Sequence, residues 1–561
     1  MINNYIRGGQ IFLHKIRMIA QVWDNTLLIS FIISILFSSI LTYERFLTLD
    51  FYSGITYAKA LIVSPLDRIF PESEPVKISA ISKMGTYSKN IEAREILKHE
   101  GFKRRYDLII GTFLSSLILA LWIMAGFSIV IILLWSKFGK VSSSKAIIKG
   151  GNILSALDVA KILRKQFMAS EFTIGKMPLV KNSETSHILI TGTTGSGKTS
   201  CMNEIMPQIR SKNQPAIIVD YTGLMTKRYY DESRGDAIIT NSEAGGYIWD
   251  FWEDIKDEDN LAIIAASLFE NKGGGYDEMW NNASKQFFKD SVRYIAKNNI
   301  PKISDLYKLL SIESLEKVHN ILKGSVSSSM LDPNNEKTAM SVRTNTIAFI
   351  DWMENFRDGN RKISLSNWFT EKRLAKGSWL FLKSSPKQRT KLKAFYSMLL
   401  DLSINQIMEL GEDYDRRLWM IIDELPALKK LPSLSIALSE FRKYGCSIMA
   451  SMQSPHQLFE IYGQNNAYSM LDQFNTKFIF RTDEHNFANY LCKGFGDIEY
   501  KEAQENYSYG SHEVRDGVHI SHIEKKKPIL TPADLANLPN LEAYVKLPVA
   551  DVKVAKVTIK F

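Results

Sequence analysis

The sequence predicts an α/β protein: a parallel sheet carrying a phosphate-binding loop, interrupted by an all-α insertion and preceded by two transmembrane helices. Three observations carry this reading. Residues 192–199 read Gly-Thr-Thr-Gly-Ser-Gly-Lys-Thr, which fits G-x-x-x-x-G-K-[ST] at every fixed position. Through most of residues 137–561, short apolar runs alternate with helical patterns, as a parallel sheet with helical crossovers requires. Two uncharged apolar stretches lie in the first 140 residues.

The 561 residues suffice for roughly two to four domains, and the apolar content excludes a disordered chain. The net charge of +10 suits a polyanionic partner or anionic lipid without choosing between them. Cys201, Cys446 and Cys492 show no C-x-x-C spacing, so neither a disulfide framework nor a cysteine zinc site is expected. The nine histidines show no H-E-x-x-H pairing and read as surface or satisfied polar positions.

The first apolar stretch, Thr26–Tyr43, is short for a span, with Trp23 and Tyr43 as interface anchors. The second, Leu108–Ser136, is longer than a span needs and should tilt or protrude. The long segment before Thr26 and the lack of a small-x-small cleavage pattern favour an anchor over a removed signal. Two spans place both ends on one side, and the need for ATP makes that side the cytoplasm. Arg7, Lys15, Arg17, Lys137, Lys140, Lys145 and Lys149 agree, while Lys103-Arg104-Arg105 does not. The intervening residues 44–107 are then a periplasmic segment, with Pro-Glu-Ser-Glu-Pro at 71–75 and a charge-rich helical run from Asn90 to Lys103.

In the remainder, His187-Ile188-Leu189-Ile190 reads as a buried strand, and Cys201 to Arg210 as a helix with Pro207 near its end. Further strands are expected at Ala216–Val219, Ala237–Thr240, Ser378–Lys383, Leu418–Ile422, Ser447–Ser451 and Lys477–Phe480. The alternation breaks between about Asp254 and Arg361, where Met279–Lys297, Ile303–Leu310, Ile312–Leu322 and Lys337–Phe356 read as helices. The tail from Leu541 to Phe561 alternates apolar and charged residues and reads as edge strands. The expected division is a membrane domain over 1–136, a nucleotide-binding domain over 137–253 and 363–561, and an all-α insertion over 254–362.

Glycines in such a loop let backbone N–H groups point at phosphate oxygens, and the following helix N-terminus adds a favourable dipole. Gly192, Thr193, Thr194, Gly195, Ser196, Gly197, Lys198, Thr199 and Ser200 therefore form the candidate nucleotide-binding set, with ATP and Mg²⁺ as the expected ligands. Lys198 would reach the β- and γ-phosphates, and the Thr199 hydroxyl would bind Mg²⁺. The apolar run Leu418–Ile422 ends in Asp423-Glu424, at a position where side chains face the ligand crevice of an open α/β sheet. Asp423 would hold Mg²⁺, and Glu424 would polarise the attacking water as base.

Beyond the loop and the carboxylates, further stretches run in the same order as in one known family. They are Asp220-Tyr221-Thr222-Gly223, Trp249 with Trp252, Asp423-Glu424-Leu425-Pro426-Ala427-Leu428, Phe441-Arg442-Lys443-Tyr444-Gly445, Ser451-Met452-Gln453-Ser454-Pro455-His456-Gln457-Leu458, Tyr462-Gly463 and Leu541-Glu542-Ala543-Tyr544-Val545. Together they resemble the TraD-like type IV coupling proteins of conjugation and type IV secretion, end to end. The resemblance implies a RecA-like motor ATPase that forms homo-hexameric rings on the inner membrane. It implies recruitment of a relaxase-bound DNA strand from the relaxosome, delivery to the secretion channel, and an all-α domain that helps receive substrate. By the same resemblance Gln453 is the polar sensor of the γ-phosphate, and Arg442 is the arginine that reaches a neighbour's nucleotide.

Thr222 and Asn241-Ser242-Glu243 depart from the family pattern, which touches local loop contacts only. The chain reaches Phe561 without the long C-terminal extension of some relatives, leaving substrate selection to the all-α domain or to adaptors. A receptor that hands effector proteins rather than DNA to the channel shares every motif. A septal chromosome pump would carry more spans and a winged-helix DNA reader, and a scaffold with a dead site would not need the intact catalytic set.

Overall fold

The computed structural model describes residues 2–65, 75–81, 88–142, 146–151, 153–240, 246–269, 276–298, 300–354, 356, 361–383, 387, 389–508 and 517–560. The chain divides into two compact units, Met1–Ala146 with Glu502–Ile523, and Ile147–Lys501 with Glu524–Phe561.

In the first unit two long helices, Ile2–Leu47 and Glu100–Ser142, contain stretches long and apolar enough to cross a membrane, Ile19–Leu47 and Glu100–Leu134. Both stretches start earlier than the expected Thr26 and Leu108, because charged residues such as Asp24 and Lys103 do not interrupt helix hydrogen bonding. On the first helix Thr26, Ser30, Ser34, Ser38 and Thr42 are buried at every fourth position, and this helix packs against the second. Small residues on one face allow close helix approach where apolar burial gives no advantage. The Thr26 and Thr42 hydroxyls are satisfied by Val22 O and Ser38 O, both at 2.7 Å. Between the long helices lie helix Phe51–Val63, N-capped by Asp50, and an antiparallel pair, Lys77–Ile81 with Ser88–Glu92. The charge-rich run from Asn90 is not one helix. Asn90–Glu92 complete a strand, with Ser79 Oγ donating to Asn90 Oδ1 at 2.8 Å, and Ala93–Lys98 form a separate short helix. The acidic Pro71–Glu74 motif and Asn241-Ser242-Glu243 lie outside the described residues.

The second unit is organised by a ten-stranded sheet. Its order is Ile153–Ser155, Val554–Thr558, Glu542–Lys546, Thr476–Ile479, Ile188–Thr191, Cys446–Met452, Leu418–Ile422, Ala216–Asp220, Trp379–Lys383 and Ala237–Ile239. From Thr476–Ile479 to Ala237–Ile239 every pairing is parallel. The central strands Ile188–Thr191, Cys446–Met452, Leu418–Ile422 and Ala216–Asp220 are buried at every residue, as expected for strands covered on both faces. The tail strands are not edges. Glu542–Lys546 pairs antiparallel on both sides, and Val554–Thr558 is covered by Ile153–Ser155, a strand too short to read from sequence. The charged positions that suggested an edge face each other instead: Lys556 Nζ lies 2.8 Å from Glu542 Oε2 across the pair. Pro207 falls within helix Lys198–Ser211, one turn before its end.

The helical segment leaves the sheet after Ile248–Trp249 and returns at Lys362–Ile363, two short strands that pair in parallel. Between them run helices Glu258–Leu268, Tyr276–Ile295, Ile303–Ser311, Leu315–Ile321, Val326–Met330 and Glu336–Ile350. One buried carboxylate ties the two ends together. Asp254 accepts from Trp249 Nε1 at 2.6 Å, from Leu365 N at 2.8 Å and from Ser366 N at 2.9 Å. The apolar core of these helices, with Phe287, Phe288 and Leu306, runs without a break into that of the sheet, with Leu380 and Leu399.

Candidate nucleotide site

The phosphate loop joins strand Ile188–Thr191 to helix Lys198–Ser211. Its path is set by neighbours on both sides. The Gly192 N–H donates to Met452 O at 3.3 Å, the Thr193 N–H to Arg481 O at 2.8 Å, and the Leu541 N–H to Ser196 O at 2.8 Å. Gly197 has φ 123°, and a Cβ there would lie 2.9 Å from the Phe480 ring and 3.2 Å from Leu541 Cα. Only glycine allows both that conformation and that approach. The helix starts at Lys198 without a side-chain cap, so its first N–H groups are available to an anion in the loop.

Lys198 Nζ donates to Gly192 O at 2.8 Å and Thr193 O at 3.0 Å, which folds the side chain over its own loop. Burial lowers its pKa, and the nearby Glu424 and Asp423 oppose that shift. Asp423 follows strand Leu418–Ile422 directly, and Ser451 Oγ donates to its backbone oxygen. Burial and the Asp220 carboxylate push Asp423 up to about 6, against Lys198 and Arg389. Burial also raises Glu424, whose Oε1 accepts from the Gln453 N–H at 3.2 Å. Thr194 Oγ1 donates to Gln453 Oε1 at 2.7 Å. Gln453 thus bridges the general-base candidate and the phosphate loop. It can do so because its strand, Cys446–Met452, lies between the loop strand and the carboxylate strand.

A cation placed here would relieve the repulsion between Asp423 and Asp220 and favour the ionised carboxylate. Among the described residues no cluster of three or more His, Cys, Asp or Glu side chains forms a self-contained metal site. Thr199 and Asp423 alone would leave most of a Mg²⁺ shell to water and phosphate oxygens, which is how Mg²⁺ is ordinarily held at phosphate sites.

Two contributors were given no role from the sequence. Asp220 is fully buried at the end of strand Ala216–Asp220. It accepts from Gly223 N at 2.8 Å, Thr226 N at 2.7 Å and Thr226 Oγ1 at 2.8 Å, so it shapes its own loop while its carboxylate disfavours the ionised form of Asp423. Its signal was present, since an Asp ends an apolar run just as Asp423 does. Arg389, at the start of helix Arg389–Glu409, donates to Tyr221 O at 3.0 Å. No sequence spacing marks it.

Arg442 lies elsewhere. It sits on the 3₁₀ turn Phe441–Tyr444, at the opposite end of strand Cys446–Met452 from Gln453. Seven residues at about 3.3 Å each put the two ends ~20 Å apart. Arg442 is exposed, has no side-chain bonding partner among the described residues, and opens on a cavity lined also by His187, Leu438, Ser469 and Asp472.

The chain as a whole is similar to known proteins. A family model of the type IV secretion-system coupling protein DNA-binding domain matches residues 171–560. The coupling protein TraD of Escherichia coli (strain K12) is 28% identical over 548 residues, covering 97% of this chain and 76% of TraD. The unbound bacterial conjugative coupling protein TrwBdeltaN70 superposes with a TM-score of 0.64 at 23% identity, covering 74% of this chain and 94% of that one. TrwB in complex with ADP and Mg²⁺ gives 0.63 at 23% identity, over 74% of this chain and 95% of that one. The chain therefore belongs to the type IV secretion-system coupling protein family.

Proposed function

We propose that this protein is a membrane-anchored ATPase motor that couples a relaxosome to a type IV secretion channel and drives DNA through it. The observation that carries the reading is the convergence of the phosphate loop, Asp423, Glu424 and Gln453 on one crevice at the C-terminal edge of the sheet. The relative TrwB has been seen with a non-hydrolysable ATP analogue and with ADP and Mg²⁺. By the same chemistry residues 192–200 would cradle the phosphates of ATP here, with Thr199 and Asp423 holding Mg²⁺. Lys198 would swing from its loop carbonyls to the phosphates. Glu424, its pKa raised by burial against the opposing Gln453 N–H, would take the proton of the attacking water. Gln453, already bonded to Thr194 of the loop, would report the γ-phosphate to Glu424. Arg442, too far from its own loop to serve it, would stabilise charge in a neighbour's site within a homo-hexamer.

The two long apolar helices would anchor the protein in the inner membrane, with the ATPase fold in the cytoplasm. A reporter active only outside the cytoplasm should then give signal when fused at Glu92 and none at Ser142; the reverse would contradict this topology. DNA would be bound through its phosphates without base preference, and the helical segment would help receive it.

The deciding assay is ATP hydrolysis by the full-length chain in lipid nanodiscs, with and without single- or double-stranded DNA. Stimulation by DNA that fades between about 50 and 200 mM salt supports the motor reading. Hydrolysis with no DNA binding at low salt would favour a receptor for effector proteins instead.

A further inference from the structure

Arg442 has no side-chain partner among the described residues, so its position is set through its backbone. We propose that His187 is the positioning residue that holds Arg442 in place for the neighbouring subunit. The inference rests on the reading of Arg442 as acting in trans.

The His187 ring is buried, and both of its nitrogens are used. Nε2 lies 3.0 Å from Leu438 O, and Nδ1 accepts from the Ile448 N–H at 3.1 Å. Because the Ile448 amide is a donor, Nδ1 carries no proton, and the Nε2–H tautomer is the one that satisfies both contacts. Leu438 belongs to helix Leu434–Glu440, which leads into the Arg442 turn, and Ile448 to the strand that leaves it. One ring therefore grips both flanks of the segment carrying Arg442.

The backbone around His187 is fixed as well. Its φ is 65°, a conformation uncommon outside glycine. The Thr476 N–H donates to His187 O at 3.3 Å and the Asn475 N–H to Ser186 O at 3.0 Å. The far side of the turn is held by Asp413 N–H to Lys443 O at 2.8 Å and Leu418 N–H to Gly445 O at 3.1 Å. The residue after His187 begins strand Ile188–Thr191, which ends in the phosphate loop. The same short strand thus carries the protein's own loop at one end and the grip on Arg442 at the other.

The test uses the full-length chain in lipid nanodiscs and three variants. His187→Phe removes both contacts. His187→Asn keeps an amide near the Nδ1 position, and His187→Gln keeps one near Nε2, so these milder variants serve if the first fails to fold. We expect His187→Phe to hold KM for ATP within about threefold while kcat falls about tenfold or more, with the amide variants between it and wild type. Mixed oligomers, formed by co-expression and shown to contain both chains, then locate the defect. His187→Phe should recover hydrolysis with Glu424→Gln, which supplies a well-placed Arg442, and should not recover with Arg442→Ala. Equal recovery with both partners, or wild-type turnover in all three variants, would overturn the positioning role. If Arg442→Ala and Glu424→Gln do not rescue one another, the trans reading of Arg442 falls and the inference with it.

Discussion

The two ends of strand Cys446–Met452 differ in what they leave for others to complete. At one end Gln453, Glu424, Thr194 and the loop are bonded to one another within a single chain. At the other a permanent cation, Arg442, is exposed on a turn whose backbone is held on both flanks. On the proposed function, the first arrangement would bind a phosphate chain and activate water. The second would meet something outside the chain. A pre-set guanidinium is useful where negative charge develops, and it contributes most where water is excluded, as between subunits.

This contrast can be broken from either end. The largest effects should come from the crowded end. Lys198→Ala should lose nucleotide binding, whereas Glu424→Gln should keep ATP and lose about 10²-fold or more in turnover. A Glu424→Gln rate within about threefold of wild type would remove Glu424 as base.

Next comes Gly445→Ala at the open end. Gly445 has φ 65°, and a Cβ there would lie 2.2 Å from Arg416 O. The substitution should cost about 2 kcal/mol or more in stability and displace the Arg442 turn. ATP affinity should hold while turnover falls, as read by equilibrium binding beside steady-state rates. Loss of ATP binding instead would mean that the two ends are not separable.

Thr194→Val should be milder. It removes the donor to Gln453 Oε1 but leaves the loop backbone intact, so turnover should fall about three- to tenfold with little change in stability.

The last test is acid. Burial holds His187 at about 4, well below its ordinary value of 6.5. The native state therefore resists the proton that the unfolded chain accepts. Stability from this group is complete above about 6.5 and is lost as pH falls towards 4, by up to roughly 3 kcal/mol. Denaturant melts across that window should show the stability gap between wild type and His187→Gln narrowing on the acid side. A constant gap would mean that His187 is not held neutral by the fold.

The phosphate loop and Asp423-Glu424 were legible in the sequence because their chemistry depends on local spacing and on apolar runs that end in charge. Asp220 carried the same signal and opened one of the family-like stretches, but no local pattern gave it a role. Arg389 could not be read, since its nearness to Asp423 depends on which strands are neighbours, and sheet order is not written in local pattern. The Thr26, Ser30, Ser34, Ser38 and Thr42 stripe was hidden inside a hydropathy average, where hydroxyls only lower the score. Alternation in the tail reported one charged face correctly and edge position wrongly, because Lys556 and Glu542 pair with each other across neighbouring strands. His187 was expected to be a surface or satisfied polar histidine. It is satisfied, but what it satisfies could be seen only once Leu438 and Ile448 were placed beside it.

The most direct measurement mixes two inactive variants, Arg442→Ala and Glu424→Gln, and follows ATP hydrolysis across mixing ratios after subunit exchange is confirmed. If one edge of the sheet serves its own subunit and the other serves the neighbour, about a quarter of the interfaces in an equal, random mixture pair an intact Arg442 with an intact Glu424. Hydrolysis should then reappear, with a maximum near equal proportions. No recovery at any ratio in exchanged oligomers would contradict the account, placing Arg442 in its own subunit's site or outside catalysis.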